Sequence, residues 1–360
     1  MIARLLRILA ATMPAGVRER YREEWAADAA GAAELGRRPA EVLLGALATA
    51  VSIDRADPRA SGLDVRSLAL RRGRWGAALV GSGLLVAMLC FLAAGRSEGM
   101  PWLAAAEGAA TALALAAGIA GLGFLASAIV LVLPGSGRSA MLAVALCLVL
   151  GAVGLLVIGP VLLVAMLVLG SAVGVPLAVV LALRPRAAAE AERPIATALV
   201  ALGGALAVLG TTALGLLHVF VWNPLAKVPG LPLEAIYARL EAAGELGAPL
   251  APGLWAAGAV LSVLAILATS TLPLRRLRAS RSPRRAAIAG LGALSATAFG
   301  VWMAGFTMGM GLADTFMTDG GDAAPTGLVL ALLGAATGIP ALWLALTPGP
   351  VMPRPAPTSA

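Results

Sequence analysis

The chain has 360 residues, 60% of them hydrophobic and 13% charged, with a formal net charge of +8. A soluble domain is about half apolar and about a quarter charged, so this composition excludes an ordinary soluble globule. The cations lie between apolar blocks rather than in one patch, which suits span orientation and contact with anionic lipid and argues against a nucleic-acid surface.

Residues 1–74 read as a cytoplasmic helical prefix, either a small domain or a set of amphipathic helices lying on the membrane, with 13 Arg against 9 acids. Its start, MIARLLRILAATMPAG, is no signal peptide: Arg4 and Arg7 interrupt an apolar run too short for an h-region, so it is expected to be retained. Ile2, Leu5, Leu6 and Leu9 share one helical face. Pro14 can open a second helix, in which Val17, Tyr21 and Trp25 recur every fourth residue while Arg18, Glu19, Arg22 and Glu23 point elsewhere. A third helix runs from about Pro39 to Ile53, with Val42, Leu43, Leu47 and Ala50 or Val51 inward, and the Asp57-Pro58 step ends it. Tyr21 and Trp25, one turn apart, are expected to be buried together, with Arg18, Tyr21, Arg22 and Trp25 as candidates for docking a cytoplasmic protein.

Apolar blocks of the length that crosses about 30 Å of hydrocarbon follow. They predict an all-α, polytopic bundle over 75–346, with about eight spans at 75–94, 108–133, 139–158, 161–183, 195–221, 253–274, 286–313 and 327–346. The uncharged stretch Ser139 to Leu183 is too long for one span, and Gly159-Pro160 divides it. The long loop Trp222 to Leu250 predicts a short amphipathic helix on the outer surface: Leu233, Ile236, Tyr237 and Leu240 share a face, Pro232 suits its first turn and Gly244 its end. Trp222, Tyr237 and Trp255 would form an interfacial belt. A Pro-rich tail, 347–360, is expected to be disordered and cytoplasmic. No internal repeat is evident.

With the N-terminus inside, 24 of the 27 basic residues fall on the cytoplasmic side and 3 outside, and the outer loops hold 8 of the 19 acids. That asymmetry predicts a multi-pass protein of the plasma membrane with both termini cytoplasmic.

The predicted spans offer almost no chemistry. Glu107 and Asp314 belong near the outer interface, and nothing in the sequence places them together as a carboxylate pair. His218, the only histidine, could be a metal ligand or a pH sensor, but with no HxxxH or HExxH companion it reads as a helix-end imidazole hydrogen-bonded at the interface. Met303, Met308, Met310 and Met317 could suit Cu(I), but without a nearby Cys or His they read as helix packing. No GxSxG, P-loop or membrane-compatible Ser/His/Asp set is present. Cys90 and Cys147 read as small hydrophobes within apolar blocks. Pro160, Pro176, Pro273 and Pro340 read as turns and kinks. Gly170/Gly174, Gly305/Gly309 and Gly334/Gly338 allow close helix approach without saying whether the partner helix is in the same chain. No cofactor, metal or catalytic residue is expected.

The segment RLLRILAATMPAGVRERYREEWAADAA resembles the cytoplasmic prefix of many actinobacterial integral membrane proteins and, more loosely, of some ABC-type permeases, where an LP-type step precedes an Arg/Glu-rich helix with a Trp; here Met13 precedes Pro14. The loop VWNPLAKVPGLPLEAIYARLEAAGE is similar to the outer loop of uncharacterised actinobacterial membrane proteins. Together the two segments cover about 50 residues. The resemblance implies topology and no assigned activity. The large extracytoplasmic domain of a substrate-exporting ABC permease is missing. The expectation is a non-enzymatic sensor, scaffold or accessory subunit, whose partners are the lipid bilayer and a cytoplasmic protein. The alternative is a transporter or permease component, which would need a hydrophilic cavity lined by Thr211, Thr212, Ser295, Thr297 and Thr307.

Overall fold

The computed structural model describes residues 2–14, 16–32, 34, 36–53, 60, 62–93, 101–132, 194–246, 250–271 and 282–347. The predicted spans 139–158 and 161–183, the Gly159-Pro160 turn, Gly170/Gly174, Cys147, Pro176, Pro273 and the tail from residue 348 lie outside the described residues. Among the described residues every regular element is helical. The chain falls into two compact units, one of residues 1–76 and 122–149, the other of residues 77–121 and 150–360.

The prefix in the first unit is three helices, α1 (Ile2–Ala11), α2 (Arg18–Gly31) and α3 (Pro39–Ser52). Each is too short to be stable alone in water, so mutual burial must hold them. Leu6 and Ala10 of α1, Met13 in the turn, Trp25 of α2, and Ala46 and Ala50 of α3 form the shared core. The small alanines of α3 leave room for the indole of Trp25, and Tyr21 stacks beside it with ring centroids 5.2 Å apart. Pro39 occupies the first turn of α3, where a missing N–H costs nothing.

The next helix, α4 (Val65–Ala93), begins on the Asp64 side chain, which accepts the Ser67 N–H at 3.4 Å. The Ser67 side chain first, and its N–H after it, hold the Asp64 carboxyl below its ordinary range. The helix then runs unbroken through Arg66, Arg71, Arg72 and Arg74 into the apolar stretch. The boundary read at residue 74 is therefore a change of polarity, not of conformation, since arginine is a good helix former.

Among the described residues six helices are long and apolar enough to cross a membrane: α4; α5 (Pro101–Val132); the run Pro194–Lys227, which opens with α6 (Pro194–Leu217); then, past the short α7 (Asn223–Lys227) and α8 (Leu233–Ala242), α9 (Leu250–Thr271); α10 (Pro283–Phe316); and α11 (Pro325–Leu346). Large apolar side chains such as Leu113, Ile119, Leu199, Leu206 and Leu261 stand exposed along α5, α6 and α9. Such a surface is incompatible with water and natural against lipid tails. The protein is a multi-pass α-helical membrane protein.

Within the second unit α10 is the hub, packing against α6, α9 and α11. Glycine sets these distances. The Cα atoms of Gly204 on α6 and Gly290 on α10 meet so closely that a Cβ on Gly204 would lie 3.0 Å from Gly290 Cα. On α11, a Cβ at Gly334 would lie 2.7 Å from the Phe299 ring, and one at Gly338 would lie 2.5 Å from Ser295 Oγ. Gly305 and Gly309 face Val219 and the Gly320 carbonyl. These small-residue pairs thus serve contacts within the chain. Ser295 Oγ donates to the Gly334 carbonyl at 2.7 Å, which ties α10 to α11 across the same seam.

The helix ends are closed by side chains from elsewhere. Ser282 caps α10, accepting the Arg285 N–H at 3.2 Å, with Pro283 in the first turn. Arg284 donates to the Leu344 carbonyl at 2.6 Å and to the Thr347 carbonyl, so a cation covers the C-terminal carbonyls of α11. Pro340 lies inside a continuous α11.

Candidate functional site

At the opposite end of α11 from Arg284, three polar residues converge on the connector 317–324 between α10 and α11. They come from one stretch of chain. After Leu217 the helix opens into a π-helical turn, His218–Trp222, and then resumes as α7. The predicted span ended at Val221 with a loop from Trp222; the structure instead carries helix to Lys227. In a regular α-helix a five-residue step turns about 500°, leaving His218 and Asn223 about 140° apart. The wider π turn brings them back toward one side, and Lys227 follows four residues later.

Each of the three meets the connector differently. His218 is 2% exposed. Its Nδ1 lies 2.7 Å from the Thr326 hydroxyl on α11, and its Nε2 lies 3.2 Å from an Asp322 carboxylate oxygen. Asn223 Oδ1 accepts the backbone N–H groups of Ala323, at 2.8 Å, and Ala324, at 3.4 Å. Ala324 cannot cap α11 with its own side chain, so Asn223 caps it from another helix. Lys227 Nζ donates to the Asp319 carbonyl at 2.8 Å and pairs with its carboxylate. That hydrogen bond, with a second from the Gly321 N–H, holds the Asp319 carboxyl below its usual range. The sole lysine, a cation between apolar blocks in the sequence, is thus a buried tether.

Pro224 follows the π turn and has no N–H to give the Phe220 carbonyl four residues earlier. Tyr237 of α8 supplies the missing donor, its hydroxyl reaching Phe220 O at 2.8 Å. Partial burial pushes the Tyr237 phenol up from its ordinary value, which keeps it protonated and donating. The face of Leu233, Ile236, Tyr237 and Leu240 is therefore turned to protein: Ile236 and Leu240 are fully buried against Leu312 of α10, with Val228, Leu231, Met308 and Phe316 around them. Trp255 on α9 donates to the Thr297 carbonyl of α10 at 3.0 Å, and its ring lies where a Cβ on Gly215 would stand.

The other sequence candidates are dispersed. Trp25 is buried in the prefix core, Tyr21 is half-buried, Arg18 donates to the Met13 carbonyl at 3.2 Å, and Arg22 pairs with Glu19. Met303 packs with the Phe299 cluster, Met308 with Val219 and Val301, while Met310 and Met317 are exposed. No group of three His, Cys, Asp or Glu that could hold a metal exists among the described residues. Of the hydroxyls proposed for a transport cavity, Thr212 donates to Val208 O within its own helix and Ser295 ties α10 to α11, while Thr307 is exposed.

No family model matches this chain, and no curated protein or solved structure is detectably similar to it.

The site is thus known by its own geometry. A hydroxyl–imidazole–carboxylate chain also occurs in nucleophilic triads. Here the imidazole is buried and ties the π turn to one further stretch, through Asp322 of the connector and Thr326 at the start of α11. Asp322, about a quarter exposed, also lines a small cleft with Leu92, Phe299, Trp302 and Leu330. Sequence reading missed it because Asp322 and Thr326 lie about a hundred residues beyond His218 and neither shares a motif with it.

Proposed function

We propose that this chain is a non-enzymatic membrane sensor that reads the seating of the connector at the His218 end and presents its helical prefix to a cytoplasmic protein. The observation that carries the reading is the buried imidazole of His218 with both nitrogens engaged. One ring nitrogen meets the Thr326 hydroxyl of α11 and the other the Asp322 carboxylate of the connector, so a single side chain joins both to the π turn. Around it, Asp322 and Thr326 face the ring, Val301, Leu330 and Met308 of α10 and α11 pack uncharged beside the turn, and the Lys227–Asp319 pair lies further along the same stretch. The imidazole therefore holds the connector onto the π turn, and its loss loosens that hold.

The test places a fluorophore on Met317→Cys in full-length protein lacking Cys90 and Cys147, held in lipid nanodiscs. The label should be more mobile in His218→Ala than in the parent protein, because the contacts with Thr326 and Asp322 are lost. Equal mobility in the two would remove the sensor reading, and solute flux in proteoliposomes would favour a transporter instead.

The prefix output rests on the resemblance of residues 4–30 to cytoplasmic prefixes and on the exposed Arg18 and Arg22, which suit steering of a partner more than tight binding. The arrangement proposed has eight spans with both termini in the cytoplasm, supported by the 24-to-3 division of basic residues. Reporter fusions at Lys227 and Asp319 should then read outside, and fusions at Arg278 and Ala360 inside. A C-terminus read as outside would sink the count.

A further inference from the structure

Helix α1 buries Leu6 and Ala10 in the prefix core, yet Leu5 and Ile8 on its other side are 41% and 56% exposed. Arg4 and Arg7 are exposed beside them, and α1 contains no acid. Arg4 and Ile8 are neighbours one turn apart, so the free side of the helix mixes large apolar groups with cations. We infer that this side of α1 docks on the anionic headgroup surface of the bilayer in which the same chain is anchored.

Three observations favour lipid over a protein. First, the charge on α1 is of one sign. The neighbouring α2 carries Arg20 and Arg22 paired with Glu24 and Glu19, so its surface is nearly self-neutralised and offers a bilayer little attraction. Second, the pattern suits an interface. Leu5 and Ile8 can enter the acyl boundary while the arginine stems lie along it and hold their guanidinium groups among phosphates. Third, the prefix shares its chain with membrane-crossing helices, beginning with α4 twelve residues after α3. Tethering makes even a weak contact effective, because the surface is always at hand. Two apolar side chains and two arginines would hold a free peptide poorly; on a tethered helix they suffice to bias its position.

Full-length protein without Cys90 and Cys147, carrying an environment-sensitive fluorophore at Ile8→Cys, would be placed in two nanodiscs. One holds phosphatidylcholine alone, the other an equal mixture with phosphatidylglycerol, each with nitroxide-labelled lipid as quencher. A label at Ala26→Cys on the exposed side of α2 serves as solvent reference. The Ile8 label should be quenched and blue-shifted in anionic discs and much less so in neutral ones, while the Ala26 label stays unquenched. Arg4→Glu with Arg7→Glu should lower the docked-to-free ratio by at least about thirtyfold. Both arginines are exposed, so the prefix should stay folded; unchanged Trp25 emission checks this. An Ile8 label as wet as the Ala26 label in both discs would overturn the inference. So would a label shielded from aqueous quencher yet untouched by lipid nitroxide, since that result points to protein on this face.

Discussion

Leu240→Asp should cost about 3–5 kcal/mol and detach α8 from the bundle. Leu240 is fully buried, and it meets Leu312 and Ile236 in a cluster closed by Val228, Leu231, Met308 and Phe316. None of these side chains can pair a carboxylate, so the charge must either lose its proton-free state or leave for water. Leaving means unseating the helix, which also withdraws the Tyr237 hydroxyl from the Phe220 carbonyl. Hydrogen exchange should report it: amides of 233–242 would exchange nearly as fast as in a free peptide, while those of α10 stay protected. Leu240→Met, which nearly conserves volume, should cost less than about 1.5 kcal/mol. Protection of α8 retained in the aspartate variant would mean that its seat is not the apolar cluster described.

A comparable loss is expected from Gly338→Leu. A Cβ at this position would already stand 2.5 Å from Ser295 Oγ and 3.1 Å from Leu85, so a full leucine has no room without parting α11 from α10 and α4. Parting them also breaks the Ser295 bond to the Gly334 carbonyl, in surroundings where water does not replace it. About 3 kcal/mol or more should be lost, seen as a lower midpoint in denaturation of the detergent- or nanodisc-held protein. Gly203→Leu is the matched control. Gly203 faces open space on an exposed side of α6, so leucine there relieves a poor helix residue and should be neutral or stabilising. Equal losses at the two positions would show that glycine is needed for something other than the α10–α11 seam.

How far the sequence could be read depended on the range of the interaction. Solvent preference is local, so the apolar blocks that became α4, α5, α6, α9, α10 and α11 are legible one by one. Periodicity is local too, which is why Leu6 and Leu9 of α1, Val42, Leu43 and Ala50 of α3 and the apolar face of α8 could be named, whereas Leu5 and Leu47, expected inward, are exposed and the small Ala46 takes the core position instead. What faces that side is not local: Leu240 looked as suited to a headgroup layer as to α10, and the same leucine pattern serves both. Trp25 shows the ambiguity in reverse, since an aromatic in an Arg/Glu helix reads as a docking anchor until Ala46 and Ala50 are found making space for it. The site was the least legible part. Its donors and acceptors are His218, Asn223 and Lys227 on one segment, and Asp319, Asp322, Ala323 and Thr326 near another. The π turn that aligns the first group has no residue signature beyond the Pro224 that follows it.

The connector 317–324 contains two adjacent glycines and no helix of its own, and fixing such a chain costs about 1–2 kcal/mol per residue. Its three tethers all spring from the single helical run 218–227. The ordering of the connector is therefore borrowed from that run: any change that displaces the run withdraws the His218, Asn223 and Lys227 contacts together, and the two glycines leave the connector no means of holding its own shape.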